Sequence, residues 1–319
     1  MGKRGADIAA SLPAPAGLRH LRRRRTRRLA LARRRVRAQI AAMTTPSDPS
    51  FARLSDRALI RLEGEGWQGF MQGLITQDVE GQGVGEMRYA ALLTPQGRVL
   101  HDLFVIADAT GATLDVAAET RDALLARLRM YRLRAKVGIE PLEGEVVALF
   151  GGGAGDPGPG WRRDPRLAAL GWRGVDLAPP PGAQAGDYDR HRLALGVGEV
   201  GPDALSDKAY AMEANLDLLN AVDFRKGCFV GQETTSRMKR RSGARSRLVG
   251  LRFEGTAPAP GTEVVNGGLR AGDVRSGADG MALALLRLDR LEGALEVEGR
   301  PVAPAPAPWL AEALQTAEV

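Results

Sequence analysis

The sequence predicts an α+β fold that ends in a small C-terminal β-barrel. Three observations carry this. Short stretches of alternating apolar residues are interleaved with segments of helical spacing in the first two thirds of the chain. Turn-forming residues separate those stretches. After Arg247 the helical spacing disappears and only alternation remains.

Ala58, Ile60 and Leu62 alternate with Leu59, Arg61 and Glu63, which predicts a strand. Trp67, Phe70, Met71 and Leu74 then fall three or four apart and predict a helix. Residues 89–93 and 98–107 read as two strands joined by Thr94-Pro95-Gln96-Gly97, a turn with Pro and Gly in favoured places. A short strand over 113–116 precedes a helix over 119–131, with Leu124, Leu125 and Leu128 on one face. Residues 146–150 and 172–175 predict two more strands, between glycine- and proline-rich breaks at 151–160 and 178–186. Residues 189–196 and 216–222 read as short helices. Beyond Arg247, Val249, Leu251 and Phe253 alternate, and 256–261 forms a turn. Asp279-Gly280 then joins 272–276 to 281–288 as a hairpin, and Leu295 and Val297 continue the alternation. This pattern predicts a small closed or Greek-key barrel. Residues 303–308 are proline-rich and read as extended. The chain divides accordingly into a head (1–42), an α+β body (43–244), a barrel (245–304) and a tail (305–319).

Composition narrows the function. At 319 residues the chain can bury a sizeable core, built mostly of Leu, Val and Ala because aromatics are only 5%. No apolar run approaches the ~20 residues a membrane-spanning helix needs, and no membrane partner is expected. One cysteine excludes an intrachain disulfide and suits a reducing compartment. Three histidines, His20, His101 and His191, show no zinc-ligand spacing, so no permanent metal is expected. A single thiol cannot hold an iron–sulfur cluster alone, because such clusters take about four. Gly81-Gln82-Gly83-Val84-Gly85 lacks the context of a nucleotide loop.

The net charge of +7 is misleading. Residues 1–42 carry thirteen Lys and Arg against Asp7, which leaves the other 277 residues at −5. The head has three readings: a nucleic-acid-binding arm, an organelle-targeting segment, or upstream sequence before a start at Met43. The bacterial cytoplasm is the expected compartment, or the mitochondrial matrix if the head is a transit peptide.

The only cysteine lies in Lys226-Gly227-Cys228-Phe229-Val230-Gly231-Gln232-Glu233. A lone cysteine is often just a small buried hydrophobe. Here glycines leave room for close approach, and a neighbouring lysine favours the thiolate. From 225 to 247 there are eight cations, Arg225, Lys226, Arg237, Lys239, Arg240, Arg241, Arg245 and Arg247, against Glu233 alone. This stretch is the candidate site, with Cys228 as a reactive thiol and a possible tRNA contact through 225–247.

The octapeptide resembles the signature of the YgfZ family, folate-binding proteins of iron–sulfur metabolism related to the glycine-cleavage T-protein, an aminomethyltransferase. Residues 69–79, Gly-Phe-Met-Gln-Gly-Leu-Ile-Thr-Gln-Asp-Val, are similar to the family's amino-terminal motif. Residues 92–99 with His101-Asp102-Leu103, 212–217 (Met-Glu-Ala-Asn-Leu-Asp), 272–276 and 282–287 are similar to further family segments, so the likeness covers roughly 50–300.

The resemblance implies a T-protein-like folate-binding body and an accessory role in assembling or repairing iron–sulfur enzymes, including radical enzymes that modify tRNA. Its partners would be those client proteins or the assembly machinery. It implies tetrahydrofolate as cofactor, with Glu213 accepting the pterin's aminopyrimidine edge and Arg247 holding a folate carboxylate. Asp102 would act near the reacting nitrogen, but the T-protein's acid pair is here His101-Asp102, which weakens aminomethyl or other one-carbon transfer. Gln232 and Glu233 would orient the cysteine loop or bind a partner.

Overall fold

The computed structural model describes residues 49–152, 155–241 and 244–316. The three readings of residues 1–42 lie outside the described residues. The chain opens with β1 (Ser50–Arg53), β2 (Arg57–Glu63), helix α1 (Trp67–Gln72), β3 (Met87–Leu93), β4 (Val99–Ala107), β5 (Gly111–Ala117), α2 (Arg121–Arg132) and β6 (Gly138–Leu142). The five strands β3-β4-β5-β2-β6 form one antiparallel sheet. Alternation decides its faces. Ile60 and Leu62 on β2, with Leu103 and Val105 on β4, face a core closed by Met71 of α1 and by Leu124 and Leu128 of α2. Leu59, one residue out of phase, faces a different core. The 94–97 turn forms as expected: Gly97 N–H donates to Thr94 O at 2.8 Å, with Gly97 at φ +85°.

Next come β7 (Val146–Phe150), β8 (Arg162–Arg163), β9 (Trp172–Val175), β10 (Gln184–Ala185) and helix α3 (Tyr188–Ala194). These strands and β1 form a second sheet, ordered β10-β1-β7-β9-β8. Helix α4 (Gln232–Arg240) precedes the barrel strands β11 (Ser246–Arg252), β12 (Glu263–Asn266), β13 (Leu269–Ala278), β14 (Met281–Arg287), β15 (Leu295–Val297) and β16 (Arg300–Pro304). They close in the order β11-β14-β13-β12-β15-β16. Asp279-Gly280 is the two-residue turn of the β13–β14 hairpin, with Gly280 at φ +81°. Val249 and Leu251 of β11 fill the barrel. Leu248 points the other way and packs with Tyr89 and Phe104, so this strand also closes the body's core.

One expectation is corrected. Residues 216–220 form turns and 221–222 no regular structure, so no helix forms there. Asn215 and Asn220 adopt left-handed backbone at φ +60° and +55°, which no helix accommodates, and Asn215 Nδ2 is tied to Leu248 O at 2.7 Å. Residues 303–307 run without helix as expected, through the end of β16, and a helix that the sequence reading did not predict follows them. Helix α5 (Pro308–Thr316) starts with Pro at a position that needs no N–H, and Leu310 packs against the barrel core. Trp309 Nε1 donates to Leu195 O at 2.9 Å, just beyond α3.

Candidate functional site

Cys228 is a free, exposed thiol. Its neighbours on both sides are anchored. Lys226 donates from Nζ to three backbone carbonyls, Gln72, Ile75 and Gln77, each at 2.8 Å. Those carbonyls belong to the turn after α1, within the segment 69–79 singled out in the sequence. Thr76 Oγ1 donates to Ala221 O, Gln77 Nε2 donates to Asn220 O, and Asp223 N–H donates to Thr76 O. The segment 72–78 is thus a cradle for the residues that lead into the thiol. The reading of Lys226 as an activating cation is therefore corrected. Its ammonium faces backbone oxygens, and burial brings its pKa down to about 8.

On the other side, Phe229 is buried and Val230 packs against the first core. Gly231 begins α4 at φ +81°. A Cβ there would lie 2.6 Å from Thr94 O and 3.0 Å from Leu93 Cβ, so only glycine lets the loop dock on the 94–97 turn. Gly97 answers from the turn: its Cβ would meet Thr234 of α4 at 2.9 Å. Gln232 Nε2 reaches Gly227 O at 3.4 Å, and Glu233 sits exposed in the helix's first turn, where a carboxylate is favoured. Gly227 differs from these, because a Cβ there would touch nothing within 4 Å. The exposed cations Arg225, Arg237, Lys239, Arg240 and Arg241 share this loop–helix unit.

Glu213 is half-buried. Its Oε2 accepts Tyr210 N–H at 3.0 Å, and burial raises its pKa against the pull of Arg98 and Arg275. Arg247 is corrected from a ligand fork to an internal joint. Nη1 donates to Met212 O, Asn215 Oδ1 and Asp217 Oδ1, and Nη2 donates to Asp217 Oδ2 at 3.0 Å. The segment 212–217 therefore fastens β11 to the body.

Asp102 is also corrected. It is 1% exposed, and Oδ2 accepts the Tyr89 hydroxyl at 3.0 Å. Its Oδ1 has no hydrogen bond and stands 3.7 Å from Arg57 Nη1, itself unpartnered. Both belong to a buried network that the sequence did not disclose. Arg57 and Arg173 pair with the two oxygens of Asp115, at 2.6 and 2.9 Å. Arg166 pairs with Asp164 and Glu199, both at 2.8 Å, and donates to Tyr188 Oη at 2.7 Å. The three guanidinium carbons lie 4.1 to 5.6 Å from the Phe104 ring centroid. Burial disfavours the charges, but the opposite partners win: Arg57 and Arg166 sit above their ordinary pKa, and Glu199 well below its own. Burial pushes Tyr188 up to about 12.

The expected folate residues do not fit tetrahydrofolate as one site. Arg247 is committed to internal partners, and Asp102 is buried with one oxygen held by Tyr89, which leaves Glu213 as the one half-buried member. A cavity of about 510 Å³ is lined by none of the three. Among the described residues no group of three or more His, Cys, Asp or Glu is placed to hold a metal, and no helix is long and apolar enough to cross a membrane.

Residues 245–312 match the family described as CAF17, C-terminal beta-barrel domain. The chain is 32% identical to the iron–sulfur cluster assembly factor IBA57, mitochondrial, of Homo sapiens, over 79% of this chain and 82% of that one. The Mus musculus protein of the same name is 32% identical, over 77% of this chain and 80% of that one. A Neurospora crassa homolog is 30% identical over 70% of this chain, which spans only 59% of that longer protein. The fold is that of the glycine-cleavage aminomethyltransferase T of Bartonella henselae, with TM-score 0.67, 20% identity, and coverage of 83% of this chain and 87% of that one.

Proposed function

Because the chain belongs to the IBA57 family of iron–sulfur cluster assembly factors, we propose that it assists cluster assembly on other proteins, with Cys228 as the one thiolate it contributes. The observation that carries this is the exposed thiol on an otherwise anchored loop. Lys226, Phe229, Val230 and Gly231 all hold the backbone. Cys228 is left facing outward. A cluster needs about four protein ligands, so the other thiolates come from a carrier or client. Gly227 supports the same reading. Nothing inside the chain requires glycine there, and its open flank lets a partner's backbone approach. The flanking cations suit an acidic partner surface and strengthen the encounter.

The finer calls rest on the same unit. Clients that include tRNA-modifying radical enzymes, and tRNA contact through 225–247, are checked by methylthiolated tRNA bases and by a steeply salt-dependent tRNA affinity. The compartment is checked by fusing residues 1–42 to a fluorescent protein. The main experiment deletes the gene and returns wild type, Cys228→Ala or Glu213→Ala. Wild type and Glu213→Ala should restore several iron–sulfur enzyme activities, and Cys228→Ala should not. Full rescue by Cys228→Ala would remove the thiol from the account.

A further inference from the structure

From residue 123 to residue 139, through most of α2 and the turn into β6, the chain carries no acid. Arg129 pairs with Glu140, but no ion pair joins Arg127, Arg132, Arg134 or Lys136 among the described residues. Arg132, Arg134 and Lys136 are exposed. Gly64 lies against Lys136 O, and its turn brings the exposed Glu65 to this neighbourhood. The chain beyond residue 42 is net negative, so these cations form a patch of the opposite sign.

Two large apolar side chains stand among them. Met130 is 61% exposed and Leu133 is 88% exposed. Their neighbours are anchored: Leu128 and Val137 are buried, and Tyr131 and Ala135 pack on the first core. Leu133 also takes left-handed backbone, φ +43° and ψ −107°, which a leucine adopts only at a cost. Burial does not offset that cost, because the side chain faces solvent. A single exposed leucine is ordinary. Two apolar side chains held outward among four unpaired cations call for a partner that is apolar and anionic at once.

An anionic phospholipid surface has both properties. Aliphatic side chains enter the acyl boundary while Arg and Lys stay at the headgroups. A protein partner fits less well, since two apolar side chains cover much less than the ~800 Å² per side of a stable protein interface. Nucleic acid fits less well too, because Tyr131, the aromatic residue of this segment, is half-buried and packed on the core instead of standing free to stack on a base.

The position suits such a contact. β5, which leads into α2, runs parallel to β3, and β3 ends at the 94–97 turn on which the Cys228 loop docks. β6, which follows α2, begins beside Glu63, and Glu63 pairs with Gly111 at the start of β5. Residues 130–136 therefore lie at the opposite end of the first sheet from the thiol.

We propose that this end of α2 rests on an anionic phospholipid surface, with Met130 and Leu133 inserted and Arg127, Arg132, Arg134 and Lys136 on the headgroups. The contact is peripheral and needs no spanning helix. It leaves Cys228 facing away from the lipid.

The test places a polarity-sensitive fluorophore on the full chain, either at the native Cys228 or at position 133 in Leu133→Cys/Cys228→Ser. Vesicles of phosphatidylcholine mixed with phosphatidylserine should shift the probe at 133 to the blue, saturably. Vesicles of phosphatidylcholine alone should not, and the probe at Cys228 should stay unchanged with both. Adding Arg132→Gln/Arg134→Gln to the 133-labelled form should weaken the response by about tenfold or more, and raised salt should weaken it too. Residues 1–42 can draw every form to anionic vesicles by charge, but only contact at 130–136 changes the probe at 133. A probe at 133 that stays in water while the chain co-sediments with the vesicles overturns the proposal. So do equal shifts at both probes, an affinity unchanged by the two arginine substitutions, or a response at 133 to tRNA where the mixed vesicles give none.

Discussion

Lys226 spends all three ammonium hydrogens on carbonyls roughly 150 positions earlier in the chain. Gln72 ends α1, and Ile75 and Gln77 follow in the turn beyond it. Lys226→Met should therefore lower stability by about 2 kcal/mol or more, read as a fall in Tm, because three oxygens lose a charged donor. Lys226→Arg should not restore it, since a planar fork cannot converge on three oxygens as an ammonium does. His101 supplies a pH signature. Burial, with Arg127 nearby, brings its pKa down to about 4 from 6.5. The folded state thus prefers the neutral ring. That preference is fully present above pH 6.5, declines as pH falls toward 4, and is absent below. Thermal melts from pH 7 to 4 should show His101→Gln losing less stability than wild type. The thiol was legible at this scale because a single cysteine between glycines stands out. The roles of Lys226 and Arg247 were not, because their partners come from distant segments that no local pattern reveals.

The loop–helix unit of Cys228 and α4 rests on glycines that do different things. Gly231→Ala places a methyl against Thr94 O and keeps a left-handed φ, so it should cost at least about 1–2 kcal/mol and displace the loop. Gly227→Ala meets open space and should melt like wild type. If Gly227→Ala melts normally but fails to restore iron–sulfur enzyme activity, the glycine serves a partner and not the fold. Elements with strong periodicity were readable: the spacing of Trp67, Phe70 and Met71 (Leu74 falls in the turn just past the helix), the 94–97 turn, and the barrel strands after Arg247. The short helix expected at 216–222 failed because Asn215 and Asn220 take left-handed backbone in a tertiary joint. The helix at Pro308–Thr316 was hidden by the prolines before it.

Within the described body, the two sheets are stitched by the buried charges. Arg57 and Asp115 come from the first sheet, and Arg173 from the second. Asp115→Asn should destabilise the chain by about 3–5 kcal/mol, because it leaves two buried arginines short of a partner. Denaturant melts at low and high salt should give the same loss, since salt screens buried pairs weakly. None of this was readable in the sequence, where arginine reads as a surface residue. The YgfZ resemblance reached the right class, a T-protein-like fold in an iron–sulfur assembly family, but the family shown is IBA57. The likeness was carried largely by segments that now have structural roles. Residues 72–78 cradle the loop and 212–217 hold the barrel, so motif order reported the fold more faithfully than it reported a folate site.

The most direct measurement uses the fact that Cys228 is the only cysteine. A single alkylation therefore gives one unambiguous mass shift. The full chain would be mixed anaerobically with a cluster carrier from the same cell, either loaded or empty, and pulsed with iodoacetamide. If Cys228 ligates the cluster, labelling should be fast alone and with the empty carrier, and strongly suppressed with the loaded one. Equal labelling in all three, with binding to the carrier verified, would contradict the claim that this thiol is a cluster ligand.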